Sequence, residues 1–473
     1  MVVGMAMWRR LCALLALSIA TPAQAALEVD LQSPASIRAA AKLIAKNLMS
    51  YYHGEEPGNT PGILPGPPPG GPYYWWEGGA MWGTMIDYWH YTHDETWNKN
   101  TQFALLFQSN EPQNNYMPSN WTMSLGNDDQ GFWGMSVMLA AETIFPDPPP
   151  NRPQWLMLAQ AVFNTQAHRW DDQHCGGGLR WQIPFANTGY NYKNSIANAI
   201  LFNMGARLAR YTGNDTYAQI AEKVWDWMEG VGYIDKDYNI YDGGHVEANC
   251  TDIDRAQFSY TAGIFIQGLA FMHNYTNGKE PWESRLTALS KRTLEFFFPE
   301  GIAVEMACEL DSHVQCTTDM LSFKGYVARF IAQAVHVAPN LHDVIMPVLR
   351  SSAAGMIQSC NPDGTCGFRW NRGAYDGLTG AGQQMNALGT LMALLIDEPK
   401  VIPPVTNATG GTSVGDPAGG GDPSIERVMK PITTADRAGA GILTAVGLIG
   451  ITGTLAIMST SFGEGGFSFF KSK

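Results

Sequence analysis

Apolar residues recur at spacings of three and four between Ala26 and Glu398, which is the pattern of helices that bury one face. The pattern predicts twelve helical segments of similar length, at residues 34–50, 78–92, 94–108, 128–144, 153–170, 194–212, 214–229, 256–275, 281–298, 317–336, 340–358 and 378–396. Strand-like alternation is short and scarce. Twelve helices pair into six hairpins, so we expect an all-α fold in which residues 26–398 form a closed (α/α)6 barrel. A superhelical solenoid is the alternative, but solenoids keep a motif at a fixed period and the internal similarity here is loose.

Four of these segments begin with glycines and aromatic residues, at residues 75–83, 128–134, 258–263 and 323–326. The inner helices of a closed barrel begin around its axis, so we expect these residues to line one cleft. Gly and aromatic residues also allow helices to pack closely, but four such starts together favour a cleft. The 15 Trp and 18 Tyr of the chain fit a carbohydrate ligand, because the C–H faces of sugars stack on aromatic rings.

The charge balance limits the possible partners. The chain of 473 residues carries 30 Lys and Arg against 43 Asp and Glu, a formal charge of −13. A phosphate backbone demands a basic surface, so nucleic acid is excluded as a partner. Hydrophobic residues make up 45% of the chain, which is ample for a large core and excludes disorder across the whole.

Residues 1–25 have the features of a secretory signal peptide. Arg9-Arg10 precede the apolar run 11–20, and Ala23-Gln24-Ala25 supplies a small-x-small cleavage site. We expect the mature chain to begin near Ala26 and to follow the secretory pathway.

Removal of the signal peptide leaves six cysteines, an even number that favours disulfide bonds in a secreted chain. Short separations favour the pairs Cys308–Cys316 and Cys360–Cys366, which leaves Cys175 with Cys250, although six cysteines allow fifteen pairings. Five N-x-S/T sequons fit the same compartment and are predicted glycosylation sites: Asn120, Asn214, Asn249, Asn274 and Asn407.

The composition changes after residue 398. Residues 399–437 are rich in Gly, Pro and Thr without apolar periodicity, which predicts a linker. The tail at residues 438–473 begins with 21 uncharged positions, long enough as a helix to span ~30 Å, and ends in a polar segment. Small residues at Gly419–Gly421, a polar spacer and the apolar run predict a glycolipid (GPI) attachment signal. A single spanning helix is the alternative, and both place the globular domain outside the cell.

The sharpest candidate for chemistry is the adjacent pair Asp128 and Asp129 at the start of an apolar helix. Acidic residues at a helix N-terminus are stabilised by the dipole, so one of them could serve only as a cap. The alternative is a catalytic pair. Neighbouring Cα atoms lie about 3.8 Å apart, which allows the carboxyl groups to stand at the roughly 5–5.5 Å that a retaining glycosidase requires.

Weaker candidates lie at Asp171-Asp172, Asp235-x-Asp237, Asp252, Asp254, and His90 with His93. The first pair follows a helix end, where the dipole opposes negative charge. The second run lacks the Gly and Glu that a calcium loop needs, and the histidines lack a third metal ligand. We therefore expect neither a metal site nor a cofactor.

Several short motifs together resemble one known family. They are Trp75-Trp76-Glu77-Gly78-Gly79, Asn127-Asp128-Asp129-Gln130, Cys175-Gly176-Gly177-Gly178-Leu179-x-Trp181, Tyr192-Lys193-Asn194-Ser195, Tyr241-Asp242-Gly243 and Phe323-Lys324-Gly325. Over residues 30–398 the chain resembles glycoside hydrolase family 76, the endo-α-1,6-mannanases. It is most similar to the fungal GPI-anchored cell-wall branch, named for defective filamentous growth and defective cell wall.

The resemblance implies a fold, an activity and a set of site residues. The family implies an (α/α)6 barrel and a retaining mechanism on α-1,6-linked mannose, without a cofactor. The fungal branch implies GPI-anchored proteins as donors and cell-wall glucan as acceptor. It makes Asp128 the nucleophile and Asp129 the general acid/base, has Trp76 and Trp133 stack on mannose rings, and has Glu77, Asn194, Tyr260 and Lys324 contact sugar hydroxyls. A hydrolytic endo-mannanase and a non-catalytic carbohydrate-binding wall protein are the alternatives, and we expect a monomer in each case.

Overall fold

The computed structural model describes residues 26–121, 125–310 and 315–420, together with residues 437, 441, 444–445 and 448–453. Contacts divide the chain into two units, Met1–Gly421 and Asp422–Lys473. The predicted signal peptide and most of the predicted apolar tail lie outside the described residues. Among the residues that are described, no helix is long and apolar enough to cross a membrane.

The first unit contains twelve α-helices in its described part, one in each predicted segment. They are α1 (Pro34–Met49), α2 (Trp75–Thr92), α3 (Asn98–Phe107), α4 (Asn127–Glu142), α5 (Trp155–His168), α6 (Ser195–Thr212), α7 (Asp215–Gly230), α8 (Ser259–Tyr275), α9 (Trp282–Phe297), α10 (Phe323–Val337), α11 (His342–Gln358) and α12 (Ala381–Met392). Helix α10 begins six residues later than predicted, because a 3-10 turn at Met320–Ser322 precedes it.

The even-numbered helices form a closed inner ring. Each packs against the next, from α2 through α4, α6, α8 and α10 to α12, and α12 packs against α2. The odd-numbered helices lie outside this ring, with α5 against α4 and α6, and α1 against α12. The ring confirms the predicted (α/α)6 barrel, since a solenoid would leave its first and last inner helices apart.

All six inner helices begin at the same end of the barrel, which we call the upper end. The ring of Trp76, in the first turn of α2, lies 4.5 Å from that of Phe132 on α4. At the start of α8 and α10, Tyr260 stacks on Phe323 with centroids 3.7 Å apart. The opposite, lower end holds the last turns of the inner helices, where Arg207 of α6 pairs with Glu142 of α4 at 2.6 Å.

A network of buried polar side chains links five inner helices across the barrel interior, and we call it the polar belt. Its bonds join Arg207 to Glu142 and Asn203, Asn203 to Gln267, Gln267 to Gln333, Gln333 to Asp87, and Asp87 to Arg329. All seven side chains are buried. Since unpaired polar groups in a core are costly, the belt fixes how the helices sit against one another.

The chain continues along the barrel beyond residue 398, so the predicted domain boundary is too early. Val401 and Val405 are buried, and the Val405 amide donates to the carbonyl of Glu142 at 2.8 Å. Further on, Ser413 Oγ accepts a hydrogen bond from the Leu156 amide at 2.9 Å. Residues 401–420, which we call the strap, have the composition of a linker but satisfy their polar groups on helices α4 to α6.

Three disulfide bonds confirm the pairing predicted from the spacing: Cys175–Cys250, Cys308–Cys316 and Cys360–Cys366. All five sequon asparagines are exposed, so each is accessible to a glycan, and glycosylation stays a prediction.

Candidate active site

Asp128 and Asp129 lie in the first turn of α4, at the upper end of the barrel. The Asp129 carboxylate accepts a hydrogen bond from the Gly126 amide at 2.6 Å, and Asp128 Oδ1 accepts one from the Asp129 amide at 3.0 Å. Both side chains are partly accessible to solvent. The capping role considered for one of these acids is therefore real for Asp129, and it leaves both carboxylates at the cleft.

Gly126 lets the two carboxylates approach each other. A Cβ atom built on it would lie 2.2 Å from Asp128 Oδ1 and 2.5 Å from Asp129 Oδ2. These two oxygens are consequently within about 5 Å of each other, which matches the short separation of a retaining pair rather than the wider one of an inverting pair. Any larger residue at position 126 would force the pair apart.

A short two-stranded sheet positions Asn194 beside the pair. Strand β1 (Tyr192–Asn194) pairs antiparallel with β2 (Gly243–His245), with Asn194 opposite Gly243. The Asn194 side chain caps α6 with its oxygen, which accepts from the Ala197 amide at 3.4 Å, and donates its Nδ2–H to Asp128 Oδ2 at 3.1 Å. Asn194 was expected to contact a sugar hydroxyl, but its amide group instead holds the Asp128 carboxylate.

The two acids differ in how strongly they hold a proton. Burial raises the pKa of Asp128 to about 7, against the hydrogen bonds from the Asp129 amide and Asn194. Burial raises the pKa of Asp129 well above its usual range, and the neighbouring charge of Asp128 adds to the effect. Asp128 therefore loses its proton first, so the pair can present one anion and one acid near neutral pH.

Two further carboxylates lie close to the pair and were not assigned from the sequence. Asp242 accepts a hydrogen bond from the Tyr192 hydroxyl at 2.8 Å, and Asp319 accepts one from Trp76 Nε1–H at 3.0 Å. Burial raises the pKa of both acids. Asp242 belongs to the motif Tyr241-Asp242-Gly243, so the sequence offered a sign that it lies in the site. Asp319 belongs to none of the motifs, and nothing in the sequence indicates its position.

The tryptophans expected to stack on mannose are buried by other rings. Trp133 is fully buried, with the rings of Trp75 and Tyr116 stacked 5.2 and 5.5 Å away. Trp76 is 8% exposed, and Phe132 and Tyr326 cover it. Neither ring offers an open face, so the packing does not fit the predicted stacking of Trp76 and Trp133 on mannose.

Glu77 and Lys324 are also too buried to contact a sugar. Glu77 Oε2 accepts a hydrogen bond from the Tyr74 amide at 2.7 Å and so caps α2. Lys324 is fully buried, pairs with Glu309 at 3.0 Å and also donates to the Phe368 carbonyl at 2.5 Å. Their predicted contacts with sugar hydroxyls do not fit this packing, because both side chains are fully buried.

Partly exposed aromatic rings remain near the carboxylates. Tyr260 presents part of its ring beside Phe323, and its contact with substrate stays a prediction. Trp181 is 37% exposed, and its carbonyl accepts a hydrogen bond from the Asn127 amide at 2.8 Å. This places an exposed indole next to α4, and although Trp181 stands in one of the family motifs, the sequence assigned it no role in the site.

The rival acidic clusters have structural partners. Asp171 pairs with Arg180 at 2.8 Å and with the buried Lys193 at 3.3 Å. Asp235 accepts hydrogen bonds within its own turn, including one from the Asn239 amide at 2.9 Å. Throughout the described ranges, no group of three or more His, Cys, Asp and Glu side chains could hold a metal ion.

Comparison with known proteins identifies the family. Residues 36–408 match the profile of Glycosyl hydrolase family 76. The mannan endo-1,6-alpha-mannosidase DCW1 of Saccharomyces cerevisiae is 44% identical over 446 residues, covering 93% of this chain and 96% of the yeast protein. The mannan endo-1,6-alpha-mannosidase DFG5 of the same yeast is 43% identical, covering 90% of this chain and 93% of that protein.

Comparison with solved structures gives the same family and fold. Dfg5 from Chaetomium thermophilum, crystallised with glucosamine, is 50% identical and superposes with a TM-score of 0.80, covering 83% of this chain and 98% of that one. An α-1,6-mannanase of Salegentibacter sp. shares the fold with a TM-score of 0.61 at 15% identity, covering 76% of this chain and 99% of that one. That protein was an inactive variant with two consecutive aspartates changed to asparagine, in complex with α-1,6-mannotriose. From the profile and the two yeast relatives it follows that this chain is a glycoside hydrolase and belongs to glycosyl hydrolase family 76.

Proposed function

We propose that this enzyme cleaves α-1,6-linked mannose in the glycan of GPI-anchored proteins and transfers the released glycan, with its protein, to cell-wall glucan. The observation that carries the proposal is the pair Asp128 and Asp129, with oxygens within about 5 Å and pKa values pushed apart. A binding protein has no need for two adjacent carboxylates with different proton affinities.

The geometry supports a two-step retaining mechanism. The Asp128 carboxylate attacks the anomeric carbon of mannose while Asp129 donates its proton to the departing glycosidic oxygen, which leaves a covalent mannosyl ester on Asp128. Asp129, now an anion, takes a proton from an incoming hydroxyl as that oxygen attacks the same carbon and releases Asp128. Water as the attacking group gives hydrolysis, and a sugar hydroxyl gives transfer.

The relatives support the choice of substrate. Two of them are named mannan endo-1,6-alpha-mannosidases, and the Salegentibacter variant without its two aspartates held α-1,6-mannotriose. The Chaetomium protein bound glucosamine, whose amine is a cation at neutral pH. The carboxylates of Asp242 and Asp319 beside the catalytic pair fit a donor that carries such an amine next to its mannose chain.

The ends of the chain support a location for this reaction. The signal peptide at residues 1–25 and the GPI-type tail direct the enzyme to the outer face of the plasma membrane and the cell wall. A tethered enzyme meets other anchored glycoproteins at high effective concentration, which favours them as donors.

Product analysis tests the proposal. A labelled GPI-glycan donor is incubated with the enzyme, with and without a glucan oligosaccharide. We expect the label on the glucan when it is present, and loss of all products in Asp128→Asn and Asp129→Asn. The matched control is Asp172→Asn, in the exposed half of the other adjacent aspartate pair, which should keep full turnover.

Two results would contradict the proposal. Label found only as free hydrolysed mannoside in both reactions would make the enzyme a plain mannanase. Binding of the donor without any turnover by the unaltered enzyme would make it a non-catalytic wall protein.

A further inference from the structure

Glu305 is a fully buried acid that takes no part in the proposed reaction. It begins a short turn that ends at Glu309. The Glu309 amide donates to the Glu305 carbonyl at 2.8 Å, and the Glu305 amide donates to Glu309 Oε2 at 2.9 Å. Within the turn, Cys308 is held by its disulfide bond to Cys316. These bonds leave the Glu305 carboxyl group little freedom to move.

The Glu305 side chain caps helix α8 at the upper end of the barrel. Ser259, the first residue of α8, donates from its backbone amide to Glu305 Oε1 at 3.3 Å and from its hydroxyl to Glu305 Oε2 at 2.5 Å. The preceding residue, Phe258, makes no capping bond with its side chain. The first amides of a helix have no partner within the helix, so Glu305 supplies from a distant segment the cap that α8 lacks locally.

The next residue of α8, Tyr260, is the partly exposed ring of the cleft. It stacks on Phe323 with 3.7 Å between centroids, and it lies parallel to Phe132 of α4 at 6.1 Å. Burial raises the pKa of the Tyr260 hydroxyl well above its usual range, and the charge of Asp128 raises it further because the two groups are close. Tyr260 therefore lies beside the proposed nucleophile.

The position of Tyr260 depends on the first turn of α8. The amide of Ala262 donates to the Phe258 carbonyl over 3.5 Å, so the bond that opens the helix is long. Helix ends fray, and an end without a cap frays more readily. Without the bonds between Ser259 and Glu305, the first turn would open and Tyr260 would leave its place against Phe323.

We propose that Glu305 is a positioning residue of this enzyme: through Ser259 it fixes the first turn of α8 and so holds the Tyr260 ring where it receives a mannose unit. This inference rests on the proposed function, because it takes α-1,6-linked mannose as the ligand of the cleft. Glu305 is too buried to touch a substrate. Its effect on catalysis should therefore pass through Tyr260.

A double-mutant cycle between Glu305 and Tyr260 tests the inference in the full-length enzyme. Glu305→Ala, Tyr260→Ala and the double variant are compared for kcat/KM on α-1,6-mannotetraose and for the Kd of this ligand by calorimetry. Glu305→Gln is the conservative variant. Burial raises the pKa of Glu305 to about 8, so the acid is mostly uncharged near neutral pH, and the amide oxygen of Gln can still accept from Ser259.

The matched control is Glu142→Gln, alone and combined with Tyr260→Ala. Glu142 is also a buried acid, but it pairs with Arg207 at the lower end of the barrel, away from the cleft. A general loss of packing in the core should affect this variant as well, whereas a role through Tyr260 should not.

We expect Glu305→Ala to lower kcat/KM at least fivefold when Tyr260 is present and less than twofold when Tyr260 is already Ala. Glu305→Gln should stay within twofold of the unaltered enzyme, and Glu142→Gln should have the same effect in both backgrounds. Equal losses from Glu305→Ala in both backgrounds, or no loss in either, would overturn the inference. If Glu305→Ala does not fold, Ser259→Ala removes the shorter of the two capping bonds and is put through the same cycle.

The same measurements separate this inference from the proposed function. An unaltered enzyme that binds mannotetraose without cleaving it would refute the proposed function, and the Kd values would then decide the coupling between Glu305 and Tyr260. An unaltered enzyme that neither binds nor cleaves it would overturn both.

Discussion

At the scale of single residues, the side-chain amide of Asn194 lowers the proton affinity of Asp128, together with the backbone amide of Asp129. Asn194 is held by its own capping bond to α6, so its Nδ2–H has a fixed direction toward Asp128. A donor aimed at a carboxylate favours the anion and lowers its pKa. Asn194 thus keeps the nucleophile ionised in a site where burial works against the charge.

Replacement of Asn194 should move the pH profile of the enzyme. In Asn194→Ala the pKa of Asp128 rises above about 7, because burial then acts without its main side-chain counterweight. We expect the acid limb of kcat/KM to shift to higher pH, with activity recovered in alkaline buffer. A uniform loss of activity with an unchanged profile would show that Asn194 only supports the fold.

The same acid should cost stability at neutral pH. The pKa of Asp128 is raised from 3.8 in the unfolded chain to about 7 in the folded one. The stability that accompanies the protonated acid is therefore fully present below pH 3.8, and it is lost as the pH rises through about 7. Asp128→Asn removes this titration and should raise the unfolding temperature at about pH 8 more than at about pH 4. Equal shifts at both pH values, or the same gain in Asp172→Asn, would contradict this.

The sequence predicts the catalytic pair but not the roles of the surrounding side chains, because it does not show in which direction each side chain points. Asp128 and Asp129 are recognisable because few structural roles require two adjacent acids at a helix start. Trp133 and Lys324 stand near similar helix starts, yet successive residues of a helix point about 100° apart. Only the packed structure shows which of them face the cleft and which face a neighbouring helix.

At the scale of elements, helix α10 depends on a buried ion pair. Lys324 in its first turn is fully buried, and Glu309 with the rings of Phe368 and Trp370 surrounds its ammonium group. Such a pair contributes little over an apolar substitute, but removal of one partner leaves an uncompensated charge in the core.

Substitution of Lys324 should therefore act on stability rather than on substrate affinity. Lys324→Met leaves Glu309 unpaired and should cost about 3–5 kcal/mol of unfolding free energy, measured by denaturant titration. The folded fraction should keep its KM for mannooligosaccharides. Lys291→Met is the control, since this lysine is 76% exposed and its loss should change stability by less than about 1 kcal/mol. A raised KM at full stability would restore the role in sugar binding that the structure excludes.

The elements themselves differ in how well sequence predicts them. The periodicity of apolar residues predicts each helix, because every helix buries a face along its whole length. The β1–β2 sheet has three residues per strand and no such pattern. The sheet forms because two segments that are distant in the sequence meet beside α6, and neither segment has a local pattern that predicts this pairing.

At the scale of the whole molecule, the disulfide bonds should contribute unequally. Cys175–Cys250 closes a loop with a sequence separation of 75, and Cys308–Cys316 one of 8. By loop-closure entropy the first is worth about 4.5 kcal/mol and the second about 2.5 kcal/mol. Thermal unfolding of the double mutants Cys175→Ser with Cys250→Ser and Cys308→Ser with Cys316→Ser should show the larger loss for the first. The reverse order would show that strain or residual structure dominates.

The strap marks the limit of composition as a guide to domain boundaries. Its Gly- and Pro-rich residues have the composition of a linker, and small residues are what a segment needs to lie flat on a helix. Gly415 fits against α5 because it has no side chain. The same composition fits a free linker and a segment packed on a helix, so only the contacts distinguish the two.

Closure of the inner ring has a consequence for how the protein is made. Helix α2 is buried along almost its whole length, and one of its two neighbours in the ring is α12, which ends at Met392. During synthesis α2 leaves the ribosome roughly 300 residues before its partner, about 15–60 s at ordinary translation rates. Its apolar surface and Asp87, which needs Arg329 and Gln333, stay uncovered for that time. The nascent barrel is an open arc that must be kept from aggregation until its last hairpin arrives.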